Sequence, residues 1–157
     1  MSGGKRRGAG DGPPAIGNPR ARHRYEVLER FECGVALLGP EVKSLRAGQA
    51  SLEEGFARLR GGELWLLGVH IAEYPQKGYA VHEPLRPRKL LLHRREIAEL
   101  RKSVERKGLT IVPLRIYFND RHLAKVEIAL ARGKKLHDKR QSAKEREVQR
   151  ELRGARR

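Results

Sequence analysis

The sequence predicts a mainly β fold with helices, and three observations carry this prediction. Residues 25–131 contain nearly all of the large apolar side chains and are close to charge balance, with 18 basic and 14 acidic residues. That middle holds about six runs of β-type composition, separated by turn residues, and only two segments with helical spacing. The flanking segments, residues 1–24 and 132–157, carry net charges of +5 and +7 and offer little to bury.

The first predicted strand covers residues 25–38, YEVLERFECGVALL, where alternation gives way to an apolar run. Gly34 in its interior indicates a bulge or a bend, so we expect one long strand that turns a corner. A short helix follows in GPEVKSLRAG, because Pro40 suits a first helical turn and Gly48 suits a helix end.

The remaining elements are a hairpin, a strand, a helix and a second hairpin. Gly61 and Gly62 separate two apolar runs, which is typical of a tight hairpin. The run RKLLL is a strand, and HRREIAELRKSVERKG is an amphipathic helix that Gly108 ends. Two β-rich runs around Asn119 and Asp120 form the last hairpin. A bulged first strand and a helix before the last hairpin predict a small closed barrel of the OB type.

The domain organisation follows from composition. Residues 1–18 are rich in Gly and Pro and are expected to be a disordered extension. Residues 19–132 form the predicted barrel, a size that suits one domain. Residues 133–157 are a basic tail of good helix formers whose apolar residues are too sparse for a core-facing stripe, so alone it is a marginal helix.

The net charge of +16 favours a polyanionic partner, either a nucleic acid or an anionic membrane surface. Cys33 is the only cysteine, so no internal disulfide is possible and a reducing compartment suits the chain. The sequence has no apolar stretch of about 18 residues and no apolar run behind its basic N-terminus. We therefore expect a cytoplasmic protein.

An enzyme is not expected, because no motif assembles a nucleophile, a base and a group that orients them. The six histidines are scattered without the spacing that zinc requires, so no metal or other cofactor is expected. An RNA-modifying enzyme is one alternative, but it would need a pocket with a perturbed acid or base. A ribosomal or general single-strand-binding OB protein is the other, and its binding face would need exposed aromatic rings.

Two segments of the core have readings that the residues leave open. In EVKSLR, the acidic and basic side chains either cap a surface helix or contact RNA. In RPRKLLLH, the cations either form a solvated strand end or grip phosphates at the edge of a sheet. The residues concerned are Glu41, Lys43 and Arg46 in the first segment and Arg86, Arg88 and Lys89 in the second.

The cations where the core ends favour a segment that gains structure when RNA phosphates neutralise it. They are Arg132, Lys134, Lys135, Lys139 and Arg140. His137, Tyr25 and Trp65 are candidates to stack on bases, although packing in the core is the favoured reading for Trp65.

Six segments, NPRARHRYEV, EVKSLRAG, HI, RPRKLLLH, KGLTIVPL and RGKKLHDKR, occur in an order and at a spacing that resemble the small protein B family. That family partners transfer-messenger RNA, and the resemblance covers about residues 18–150. It implies an OB-fold barrel that binds the tRNA-like domain of this RNA. It also implies that the protein is a monomer that, together with elongation factor Tu, delivers this RNA to stalled ribosomes in trans-translation.

The resemblance also implies individual contacts. The tRNA-like domain would contact a set of barrel residues, namely His23, Glu32, Leu91, His93 and Lys125. Weaker candidates for contact are Glu41, Lys43 and Arg46, and the strand-edge residues Arg88 and Lys89 are also expected to bind this RNA. The tail would enter the empty mRNA channel as a helix, with a second set at the decoding centre: Gly133, Lys134, Lys135, His137, Asp138, Lys139 and Arg140. Two positions depart from the common family pattern, since Pro40 replaces a usual Thr and His93 an Asn.

Overall fold

The computed structural model describes residues 13–73 and 83–133. Within these ranges the chain forms nine strands and three helices. The strands are β1 (Ile16–Gly17), β2 (Tyr25–Val35), β3 (Ala50–Ser51), β4 (Phe56–Arg60), β5 (Glu63–Leu67), β6 (His70–Ile71), β7 (Arg88–Leu91), β8 (Thr110–Phe118) and β9 (Ala124–Gly133). The helices are α1 (Pro19–Arg24), α2 (Gly39–Arg46) and α3 (Arg94–Lys107).

The six longer strands form a closed ring. Their order is β8-β4-β5-β7-β2-β9, and β9 pairs back with β8. The short strand β1 extends this sheet along β8, while β3 and β6 pair with each other in a small separate sheet. Because the six strands close into a ring, the main sheet is a barrel, and the predicted mainly β fold with helices is confirmed.

Glycine conformations explain two of the correctly predicted boundaries. Gly61 and Gly62 have φ of 60° and 78°, which suits the two central positions of a tight hairpin turn between β4 and β5. Gly108 has φ of 63° and ends α3 in the left-handed conformation, with its amide donating to the carbonyl of Val104.

The core has two parts. The larger cluster fills the barrel and includes Leu45 from α2 and Leu100 from α3, both almost completely buried. The smaller cluster lies where Ala21 of α1 packs against Val112 and Ala129 of the β8–β9 pair. The helices therefore contribute side chains to both parts.

Three details differ from the sequence-based expectation. The bulge in β2 lies between Val27 and Glu29, and Gly34 instead pairs with both β7 and β9. Helix α1 was not predicted, although Asn18 accepts from the amide of Ala21 and Pro19 opens the helix. The extension predicted to be disordered to residue 18 is too long, because Ile16–Gly17 pair with β8.

Candidate nucleic-acid interface

Four of the expected RNA contacts lie around one groove. Glu32 comes from β2, Leu91 from the end of β7, His93 from the residue before α3, and Lys125 from β9. The groove has a volume of about 570 Å³ and also contains Gly34, Leu92 and Glu96. The pairing of Gly34 with both Leu91 and Lys125 is what joins the three strands here.

Each of these side chains is available to a ligand in a different way. Leu91 is 50% exposed, which is unusual for a leucine at the end of a core strand. His93 is exposed, and its backbone amide donates to the carboxylate of Glu96 at 3.2 Å, so the backbone that carries the imidazole is held by the start of α3.

The carboxylate of Glu32 is held in place by β8. The Tyr117 hydroxyl donates to it, and the Arg115 guanidinium lies 4.2 Å from the centre of the Tyr117 ring. Arg115 also forms an ion pair of 3.1 Å with Glu127, the residue that pairs with Glu32 across β2 and β9. Neither Tyr117 nor Arg115 was identified from the sequence, because only the barrel places them beside Glu32.

The groove has both signs of charge close to a buried thiol. Burial, then the charges of Glu96 and Glu32, raise the pKa of Cys33 to about 12, while Lys125 acts in the opposite direction. Cys33 is 1% exposed and belongs to the core, so it is a neutral thiol and not a ligand of the groove.

This arrangement suits an unpaired nucleotide. A carboxylate accepts hydrogen bonds from base amino groups or a ribose hydroxyl, and an ammonium group contacts phosphate. An exposed leucine and an imidazole ring offer surfaces on which a base can pack. Glu32, Lys125, Leu91 and His93 supply these groups from rigid strand and helix ends.

His23 does not belong to this groove. It lies on α1 just before β2, and the start of β2 pairs with Gly133 whereas Gly34 pairs with Lys125. Nine residues of strand separate Tyr25 from Gly34, a length of about 30 Å. His23 is therefore placed near the end of β9, where the tail begins.

Lys43 and Arg46 are both exposed on α2. The guanidinium of Arg46 lies 5.2 Å from the centre of the Phe118 ring, at the end of β8. Lys89 is half-buried and forms an ion pair of 2.8 Å with Glu63 on the neighbouring strand. These three cations are accessible to a polyanion, but they do not line the groove.

Glu41 and Arg88 cannot contact RNA directly in this conformation, because neither has any exposed surface. The Arg88 Nε donates to Glu41 at 2.7 Å, and its two other nitrogens donate to the carbonyls of Val69 and Pro84. Arg86 adds two donors to the same carboxylate, at 2.9 and 2.7 Å. The expectation of direct contact is thus wrong for Glu41 and Arg88, which instead fix α2 to the start of β7.

The hydrogen bonds around Glu41 decide its ionisation. Burial alone would raise the pKa of its carboxyl group, but donation from Arg86, from the Leu38 amide and from Arg88 outweighs burial and lowers the pKa below the ordinary value. The carboxylate is therefore charged at neutral pH and fully hydrogen-bonded.

Asn18 is another buried polar residue, and sequence reasoning missed it. Its side chain is 3% exposed and donates to the carbonyls of Leu52 and Pro113, at 3.1 and 2.8 Å. It joins α1 to two other parts of the barrel. The NP pair before a short polar segment was the available signal, since Asn favours the position before a helix and Pro the first turn.

Of the expected decoding-centre residues, only Gly133 lies in the described part of the chain, as the last residue of β9. The others, Lys134, Lys135, His137, Asp138, Lys139 and Arg140, lie outside the described residues. Among candidate stacking residues, Tyr25 is half-buried against the smaller core cluster. Trp65 is also half-buried, on the face of β5 opposite Leu64 and Leu66, so its expected core packing is only partial.

Two structural absences hold for residues 13–73 and 83–133. No group of three or more His, Cys, Asp or Glu side chains there is arranged to hold a metal ion. No helix in the same ranges is both long enough and apolar enough to cross a membrane.

Comparison with known proteins agrees on one family. The family model described as SmpB protein matches residues 15–157. The SsrA-binding protein of Oleidesulfovibrio alaskensis is 57% identical over 136 residues, covering 87% of each chain. That of Acidothermus cellulolyticus is 56% identical over 135 residues, covering 86% of this chain and 84% of its own. A solved structure described as "tmRNA-SmpB: a journey to the center of the bacterial ribosome" has a chain that is 55% identical, with a TM-score of 0.65, covering 76% of this chain and 84% of that one.

Proposed function

The chain belongs to the SmpB family, and on that premise we propose that it binds the tRNA-like domain of transfer-messenger RNA and acts in trans-translation. The observation that carries the proposal is the groove in which Glu32, Leu91, His93 and Lys125 meet. Relatives with the name SsrA-binding protein and a solved tmRNA-SmpB structure support the identity of the RNA.

The groove would recognise an unstacked loop nucleotide of the tRNA-like fold. Lys125 would contact phosphate, Glu32 would accept from a base or a ribose hydroxyl, and Leu91 and His93 would pack against the base. Because the Glu32 carboxylate is already held by Tyr117, little side-chain entropy remains to be lost on binding. Lys43, Arg46 and Lys89 would add phosphate contacts around the rim of the barrel.

The tail would act at a second place. Residues 132–157 hold 11 basic and four acidic side chains, a charge that rRNA phosphates in an empty mRNA channel would neutralise. With repulsion removed, its strong helix formers would give a helix, and His137 would stack on a ribosomal base at the decoding centre. Gly133 ends β9 beside Tyr25, so the tail would leave the barrel at the end that carries His23.

In this account the protein is a monomeric cytoplasmic RNA-binding protein and not an enzyme. It would replace the anticodon-arm structure that the tRNA-like domain lacks, and it would travel to the ribosome in a complex with elongation factor Tu. Rescue and tagging of the nascent chain would then depend on two separate RNA contacts, one by the barrel and one by the tail.

The direct test compares a folded tRNA-like RNA with an unstructured oligonucleotide of equal length, at equal and moderate salt. The proposal expects tighter binding to the folded RNA, because the groove and the rim cations match a shaped array of phosphates and loop bases. Equal affinity for the two RNAs would favour a general single-strand-binding protein instead. Salt must be held constant, since it changes every phosphate contact.

A further inference from the structure

A second cavity lies beside α3 and shares no lining residue with the groove. It has a volume of about 400 Å³, which falls in the range of about 300–1,000 Å³ that small ligands occupy. Its walls are the C-terminal half of α3 on one side and β4 with the start of β8 on the other. We call it the α3 cleft. It exists because β4 and β8 pair through one residue pair only, Ala57 with Ile111.

The floor of the α3 cleft is apolar and its rim is cationic. Leu109 and Ile111 are buried below it, and Val104 of α3 is half-buried at its side. Arg58 from β4 and Arg101 from α3 stand exposed at the rim, against one carboxylate, Glu105. Neither guanidinium forms an ion pair with any residue in the described ranges.

One of these cations, Arg58, packs with its guanidinium against an aromatic ring. The guanidinium of Arg58 lies 5.5 Å from the centre of the half-buried Phe56 ring, which lines the cleft. A guanidinium group supported in this way leaves its outer face open to a flat π system, and Arg planes stack on nucleobases. Arg101, across the cleft, could at the same time meet a phosphate.

The α3 cleft is adjacent to another cavity. Phe56 and Thr110 also line a neighbouring cavity of about 320 Å³ that reaches Arg24 and Tyr25, at the junction of α1 and β2. Glu53 and Glu54 also line this second cavity, and Arg20 pairs with both carboxylates, at 3.6 and 2.6 Å. A chain of nucleotides leaving the cleft over Phe56 would therefore meet Arg24 and the Tyr25 ring beside two carboxylates that a cation already offsets in part. It would arrive beside His23 and near Gly133, where the tail begins.

We propose that the α3 cleft is a second RNA site, which takes one unstacked nucleotide with its base on Arg58 and its phosphate on Arg101. An acidic peptide would neutralise the two cations, but it would not contact the open face of the Arg58 guanidinium or the apolar floor of the cleft. The inference requires only that the chain binds RNA. The nucleotide belongs either to transfer-messenger RNA or to ribosomal RNA, two sources with the same chemistry.

The test uses the full chain and a ten-nucleotide single-stranded RNA of mixed sequence, with affinity measured by fluorescence anisotropy at several salt concentrations. The double variant Arg58→Gln/Arg101→Gln removes both rim cations. The matched control Arg95→Gln/Lys102→Gln removes two exposed cations from the face of α3 that is turned away from Leu100. A loss of about tenfold is expected for the cleft variant, since a stacked base and a phosphate contact are lost together, against about threefold or less for the control.

Phe56→Leu separates stacking from charge. It should weaken oligonucleotide binding by about threefold without changing the salt slope, because no cation is removed. Should this variant fold poorly, the pair of double variants still decides. Equal losses in the two double variants would mean that the α3 cleft contributes only its share of net charge, and the proposal would be overturned.

Repeating the comparison with a tRNA-like domain RNA and with vacant ribosomes identifies the source. The source is the RNA whose binding falls in the cleft variant and not in the control, and no such difference with either RNA would overturn the proposal. If the cleft dependence holds for the oligonucleotide while folded tRNA-like RNA is not preferred, the proposed function fails and the second site stands.

Discussion

Glu41 and Arg88 are joined by a carboxylate–guanidinium hydrogen bond of 2.7 Å, although they are 47 positions apart in the sequence and neither side chain is exposed. Arg88 also donates to the carbonyls of Val69 and Pro84, so one side chain ties α2, the loop before β6 and the segment before β7 together. All three guanidinium nitrogens of Arg88 and both carboxylate oxygens of Glu41 form hydrogen bonds, which is the condition under which a buried ion pair is tolerated.

Glu41→Gln should destabilise the protein by about 3–5 kcal/mol, because it leaves the buried Arg88 without its counter-charge. Urea unfolding measures this free energy. Glu63→Gln is the matched control, since its ion pair with Lys89 is half-exposed and should contribute less than about 1 kcal/mol. Equal effects of the two substitutions would show that the Glu41 carboxylate has no special role.

Acid should weaken the fold through the same carboxylate. The pKa of Glu41 is lower in the folded chain than its ordinary value of 4.5, so the folded state favours the ionised form. This contribution is fully present above about pH 5 and is lost as the pH falls below 4.5 through the folded pKa. In urea unfolding between pH 6 and pH 3, the wild type should lose more stability than Glu41→Gln. Parallel curves would contradict the assignment.

Cys33 should resist thiol reagents in the folded chain. Its pKa of about 12 leaves a thiolate fraction at pH 8 that is roughly 1,000-fold smaller than that of an ordinary thiol, and burial blocks access further. Alkylation with iodoacetamide, followed by mass spectrometry, should be very slow without denaturant and rapid in urea. Fast alkylation of the folded chain would mean that Cys33 is not buried in the barrel core.

Lys125→Ala should weaken binding to tRNA-like RNA and should lower the slope of log affinity against log salt by roughly one unit, because one phosphate contact is removed. Lys102→Ala is the control, with the same charge removed from an exposed position on α3 outside the groove. An equal change of slope in both variants would mean that Lys125 makes no specific phosphate contact.

Local signals in the sequence were sufficient for most elements. The two glycine-marked boundaries, at Gly61–Gly62 and Gly108, depend on backbone conformations that few other residues adopt, so they could be predicted without the fold. Helix α1 was missed because six residues bury only Ala21 and give no periodic pattern. The bulge was misplaced, because Gly34 stays in register with Lys125 and the shift occurs at Leu28, a residue type that gives no signal for one.

The site was only partly predictable, for a different reason. Nothing local in the segments EVKSLR and RPRKLLLH reveals that Glu41 of the first pairs with Arg88 of the second. Tyr117 reaches Glu32 only because β8, β9 and β2 are neighbours. The family resemblance supplied the groove residues, whereas the barrel showed that four of them meet and that His23 lies elsewhere.

The central claim is that the barrel recognises the tRNA-like RNA by itself, while the tail acts on the ribosome. The most direct measurement is a pair of assays on the chain without residues 134–157, namely binding to tRNA-like RNA and rescue of stalled ribosomes. The truncated chain should still prefer the folded RNA over an unstructured oligonucleotide, although it should bind both RNAs more weakly because it carries less positive charge. It should not support rescue. Loss of that preference on truncation, or rescue without the tail, would contradict the account.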